Sequence, residues 1–88
     1  MQDTVVAVTT TSQLVLARAV KRDIVILVND SDTDIYVRFD TAAEVNKGIR
    51  LNADGGNIVI TGGVPPEAIY AIHGGSGSKN LLINYVQI

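Results

Sequence analysis

The segment Asp23–Phe39, DIVILVNDSDTDIYVRF, writes a β-hairpin in side-chain chemistry. Ile24, Val25, Ile26, Leu27 and Val28 follow one another without a polar break. β-Branched residues dominate this run, and its length suits a strand better than a helix. An apolar run without a period predicts a central strand covered on both faces. On this reading Ile24 and Ile26 join Ile35 and Val37 in the core. Asp30 to Thr33 supplies the turn through Asx-type hydrogen bonds. Asp34 to Phe39 then alternates. Ile35, Val37 and Phe39 look inward, and Tyr36 and Arg38 look outward.

The same punctuation extends along the chain. Upstream, Thr4 to Val8 and Gln13 to Val20 read as strands, joined by TTTS at Thr9 to Ser12. Downstream, Asp40 to Lys47 reads as either a helical turn, capped by Asp40 or Thr41, or a loop. Strands follow at Ile49 to Asn52, Asn57 to Thr61, Ala68 to His73 and Leu81 to Ile88. Asp54-Gly55-Gly56, Gly62-Gly63, Pro65-Pro66 and the GGSGS stretch from Gly74 to Ser78 separate them. About eight short strands, spaced at roughly 8–12 residues, predict an all-β fold. The expected form is a small antiparallel β-sandwich or barrel, with the jelly roll among its topologies. No βαβ spacing points to a parallel sheet.

Composition narrows the function classes. The chain has 88 residues, enough for one domain. A chain of this size buries only about 60–65% of its unfolded surface, and small folds usually add disulfides, metal or association. There is no cysteine and one histidine, so association remains. Hydrophobic residues make up 47% and charged residues 18%, an apolar excess that needs cover. The net charge is −2 and aromatics are 5%. Neither a basic stripe nor a row of stacking aromatics marks a nucleic-acid binder. Arg18, Lys21 and Arg22 read as a solvated strand end or turn. No apolar run is long enough to span a membrane. The N-terminal MQDTVVAV has no secretory-signal pattern, so synthesis and initial residence in the cytoplasm are expected.

Several constellations invite chemistry. Asp30, Asp32 and Asp34 open like a calcium loop, but Ile35 stands where glycine is needed and Thr41 where a bidentate glutamate is needed. A solvated turn is the better reading. Gly74 to Lys79, GGSGSK, lacks the adjacent glycine and lysine of a phosphate loop, and a strand follows it. His73 could serve as a base for Ser76 or Ser78, but a strand-end histidine beside a glycine loop reads as surface polarity. Glu44 and Glu67 lie in turn-like stretches that would not shift their acidity as a catalytic pair requires. Tyr36, Tyr70 and Tyr85 each sit in a strand. They read as half-buried packing, or as a sugar- or protein-binding platform.

The chain also resembles a group of small virion proteins of tailed phages, the capsid decoration or cement proteins. Arg22-Asp23-Ile24, Asn29, Ser31-Asp32, Ile35-Tyr36-Val37 and Gly48-Ile49-Arg50-Leu51 carry the resemblance. Gly55-Gly56 and Ala68-Ile69-Tyr70-Ala71, before a glycine-rich turn and a last strand, continue it. It covers roughly Lys21 to Ile88, the β-sandwich core. Residues 1–20 fall outside and read as N-terminal strands or an assembly arm. The resemblance implies a structural protein of the virion, made in the host cytoplasm, with no catalytic residue and no cofactor. Its expected partners are itself, preferably as a trimer, and the major capsid protein or another virion protein. Nucleic acid and membrane are not among them. A tail- or fibre-associated protein and a small carbohydrate-binding module are the alternatives. Assembly contacts are expected in the N-terminal stretch at Val5, Val6 and Thr9. The loops should add Thr41, Glu44, Asn46, Ser76 and Ser78.

Overall fold

The computed structural model describes residues 1–87, all of them in strands, turns and loops. Ile88, the end of the expected last strand, lies outside the described residues. In chain order the strands are β1 (Gln2–Val8), β2 (Gln13–Leu16), β3 (Arg22–Asn29) and β4 (Ile35–Phe39). Then come β5 (Ile49–Leu51), β6 (Asn57–Thr61), β7 (Ile69–His73) and β8 (Lys79–Gln87).

Four antiparallel pairings nest inside one another: β4 with β5, β3 with β6, β2 with β7 and β1 with β8. They are the rungs of one long hairpin, closed at its tip between β4 and β5. The two arms roll up together, so that β3 also pairs with β8 and β4 with β7. The result is two four-stranded sheets, ordered β1-β8-β3-β6 and β2-β7-β4-β5. This is the jelly roll, a β-sandwich in which every pairing is antiparallel.

The core lies between the sheets. Val8, Val25, Leu27, Leu81 and Ile83 come from the first sheet, and Ile35, Val37, Ile69 and Ala71 from the second, all with no exposed surface. Leu51, Val15 and Val64 complete the cluster. The central position expected for β3 is realised between β8 and β6. Its inward residues are Val25, Leu27 and Asn29, whereas Ile24 and Ile26 point away and are half-buried. A continuous apolar run contains no parity, and here the buried Asn29 sets it. Nor is the strand covered on both sides: Ile24, Ile26 and Val28 stay half-exposed, and no further layer lies over them among the described residues.

Two expected elements are shorter or absent. β2 stops at Leu16 because the next residues are drawn to the loop before β7: the Ala19 amide donates to the Pro66 carbonyl at 3.0 Å. Asp40 to Lys47 forms a loop, since Asp40 and Asn46 both take positive φ, 70° and 67°, which a helix forbids. Residues 1–20 contribute two strands to the sandwich, with β1 paired to β8 along its full length.

The parity of β3 is open to measurement. Leu27→Ala should cost about 2–5 kcal/mol, the range for a large buried aliphatic. Ile26→Ala should cost clearly less in dilute solution. Denaturant midpoints at unchanged slope would compare them, and equal losses would place Ile26 in a covered layer of the monomer.

Candidate functional site

Both ends of β3 carry a buried polar side chain that organises loops. At one end, Asn29 Nδ2 donates to the carbonyls of Thr33 and Leu51, each at 2.8 Å, and Ser31 Oγ donates to Asn29 Oδ1 at 2.6 Å. The Asn29 amide donates to Gly56 O, and its carbonyl accepts from Gly55 N, both at 2.8 Å. One residue thereby ties together the β3–β4 turn, β5 and the β5–β6 turn. Gly56 has no room for a side chain, since a Cβ would meet the Asn52 carbonyl at 2.2 Å.

The three aspartates of the adjoining turn do not converge: the side chains of Asp34 and Asp32 take different partners, and Asp30 is tied through its backbone. Asp34 Oδ1 accepts from the Ala53 amide at 2.9 Å, and Asp32 pairs with Lys79 at 2.9 Å. The Asp30 amide bonds the Asn80 carbonyl at 3.1 Å. Among the described residues no three His, Asp or Glu side chains stand together as metal ligands. The hydrogen bond from Lys79, with that from the Thr33 hydroxyl, holds the Asp32 carboxyl below its ordinary value.

His73 is fully buried rather than on the surface. Its Nε2 lies 2.7 Å from the Gly77 carbonyl, and its Nδ1 accepts from the Gly75 amide at 3.1 Å. The ring carries its proton on Nε2 and wraps the 74–78 loop around itself. Both nitrogens are spent on backbone, which leaves neither for Ser76 or Ser78.

Arg22 holds the other end of β3. It is 6% exposed, not solvated. Nη1 donates to the carbonyls of Pro65 and Glu67, each at 2.9 Å, and Nη2 donates to that of Ala17. Nε has no partner. Burial pulls the guanidinium below its ordinary value, while Glu67 and Tyr85 act in the opposite sense. Arg22 therefore clamps the β2–β3 connection to the β6–β7 connection.

The expected contact residues do not form one surface. Val5 is exposed on the outer face of the first sheet, but its neighbour Val6 turns inward against the core. Thr9 sits at the end of β1, where its carbonyl accepts from the His73 amide at 3.1 Å, close to the loop bearing Ser76 and Ser78. Thr41, Glu44 and Asn46 belong to the loop between β4 and β5. There Glu44 pairs with Arg38 at 3.1 Å and with Lys47 at 3.6 Å, and Asn46 accepts from the Tyr36 hydroxyl at 3.0 Å. The tyrosines are divided too. Tyr85 packs on the core, and Tyr36 and Tyr70 lie outward on the second sheet.

The extended surface feature is the outer face of the β1-β8-β3-β6 sheet. The register aligns Val5 with Leu82 and Leu82 with Val28 in one row. The next row runs Asp3, Asn84, Ile26 and Val59, and a third sets Val86 beside Ile24 and Thr61. Val5 and Val59 are 57% and 55% exposed. Asp3 is the single charge of these rows among the described residues. Four strands of about seven residues give a face of roughly 19 by 23 Å. β1 is also a free edge, seven residues long, without proline or lysine to discourage pairing.

No protein-family model, no curated protein and no solved structure matches this chain.

Removing either polar clamp strands buried carbonyls, each costing about 1–3 kcal/mol. Asn29→Ala and Arg22→Ala should each destabilise by about 2–4 kcal/mol in thermal melts, against about 0.5 or less for Arg18→Ala. The Asp32–Lys79 pair gives an acid signature. Its stabilisation is present above the ordinary carboxylate range and is lost as pH falls through the depressed value. Melting temperature should show that step in the wild type and not in Asp32→Asn, and salt should shrink it.

Proposed function

We propose that this chain is a structural protein of a tailed-phage virion, a capsid decoration protein acting through self-association and contacts with the head lattice. The observation that carries the reading is the uncovered apolar face of the β1-β8-β3-β6 sheet. An antiparallel sheet commonly turns one polar face to water, whereas here the outward positions include Val5, Ile24, Ile26, Val28, Val59 and Leu82. Contiguous exposed apolar patches of more than a few hundred Å2 mark interaction sites.

A second copy is the occupant that suits this face. It is nearly neutral, so it offers no complement to a charged partner, and it is apolar enough to match itself. Its flat area, about 440 Å2 from the strand spacings, is roughly half of the 800 Å2 per partner of a standard interface, and the β1 edge adds to it. An edge set against a neighbour's face is a heterologous contact, which closes a ring where the rotation permits. The resemblance favours three copies about a local threefold axis. Many weak lattice contacts then act together through multivalency. The reading assigns no catalytic role, and it places the protein in the virion after synthesis in the host cytoplasm. A tail- or fibre-associated location serves the same chemistry.

Light scattering at low micromolar concentration should give several times 9.3 kDa. Ile26→Asp, in the middle of the face, should yield a folded monomer. The wild type should co-sediment with expanded capsids of its phage and raise their melting temperature, as a ligand selective for the assembled state does. A wild-type monomer would remove the self-association argument. An oligomer that ignores capsids and is missing from mature heads would move the protein to the tail.

A further inference from the structure

The opposite side of the sandwich has a different chemistry. On the outer face of the β2-β7-β4-β5 sheet, the register sets Tyr36 beside Arg50. A depression of about 320 Å3 opens there, lined by Tyr36, Asn46, Gly48, Arg50 and Asn52. Gly48 is required in this lining, because its φ is 79° and a Cβ would collide with the Val37 carbonyl at 2.5 Å.

No carboxylate lines this depression. Arg50 is exposed and makes no ion pair among the described residues, although Arg38 and Lys47 share Glu44 and Lys79 takes Asp32. The Tyr36 hydroxyl donates to Asn46 Oδ1, which leaves the amide nitrogen of Asn46 free to donate elsewhere. The lining thus presents a guanidinium fork, two carboxamides and an aromatic ring.

We propose that this depression binds a carboxylate-bearing pyranose, one residue of an acidic glycan. A guanidinium is the side chain best shaped to hold a carboxylate by two parallel hydrogen bonds. Carboxamides both donate to and accept from sugar hydroxyls. The tyrosine adds apolar ring surface with a polar tip. The volume is at the small end of ligand pockets, about 300–1,000 Å3, which fits one sugar residue. The site faces away from the proposed association face. Assembled copies would display it outward, and weak single-site binding would be multiplied by their number. The proposal stands whether or not the chain is a virion protein.

Amide chemical shifts of the isotope-labelled full-length protein, titrated with sodium D-glucuronate, provide the test. Saturable shifts are expected at Asn46, Arg50 and Asn52, with none from D-glucose at the same concentration. Arg50→Gln, an exposed change on an edge strand, should weaken binding by about tenfold or more without altering the oligomer's size. Tyr36→Ala should weaken it as well. Equal shifts from D-glucose would overturn the carboxylate, and equal shifts from inorganic phosphate would overturn the sugar. No saturable shift with glucuronate, or undiminished binding by Arg50→Gln, would overturn the site itself.

Discussion

The carboxamide of Asn29 is the constraint on which the rest of this jelly roll depends. It is fully buried, so it must satisfy its donors and acceptor within the protein. Its partners are backbone carbonyls of Thr33 and Leu51 and the hydroxyl of Ser31. Those partners belong to the turn at the end of β3 and to β5, which pairs β4 on the other sheet. One side chain therefore joins the two layers at the point where the rolled hairpin closes. It also fixes the parity of β3. With Asn29 inward, Leu27 and Val25 must follow, and Ile26 must face out. A one-residue slip would expose Leu27 and strand the carboxamide.

The strand pattern was legible because turns and alternation are local. Ile35, Val37 and Phe39 alternate with Tyr36 and Arg38, and glycines and aspartates mark the turns. Asn57–Thr61 is a strand with the bounds its sequence predicts. The parity of β3 was not legible, because five consecutive apolar residues have no phase. Arg22 was hidden for a related reason. The register between β3 and β8 shifts between Arg22 and Ile24, so Asp23 is an extra residue. A bulge of this kind reverses the alternation and turns Arg22 onto the face of Val25. Period-two reasoning cannot anticipate such a reversal, and a basic residue flanked by Lys21 and Asp23 looks solvated. The place of His73 is hidden similarly. Its burial follows from the 74–78 loop folding back over it, a tertiary event that glycine-rich sequence does not announce.

The two outer faces differ in a way that bears on function. A fold by itself assigns none, and jelly rolls serve capsids, lectins and enzymes alike. The β1-β8-β3-β6 face sets aliphatic residues among a few polar ones, Asp3, Asn57, Asn84 and Thr61, which suits contact with a surface of the same composition. The face bearing Tyr36 and Arg50 offers few atoms with directional bonding, which suits a small polar ligand. The division follows from the strands themselves. β3 and β8 are apolar at successive positions, whereas β4 and β5 place arginine and tyrosine at every outward position.

Size makes that division consequential. An 88-residue sandwich has little interior relative to its surface, and its core here is one layer of side chains between two sheets. Without cysteines it has no covalent brace. The aliphatic residues on the outer face contribute little to the monomer while half-exposed, yet they occupy two of the strands nearest the core. Their burial against another copy would stabilise the same strands that hold Leu27, Leu81 and Ile83. The proposed association would thus couple to folding through β3 and β8, and a change that weakened the outer face would lower the stability of the core in proportion to how far an assembled form is populated.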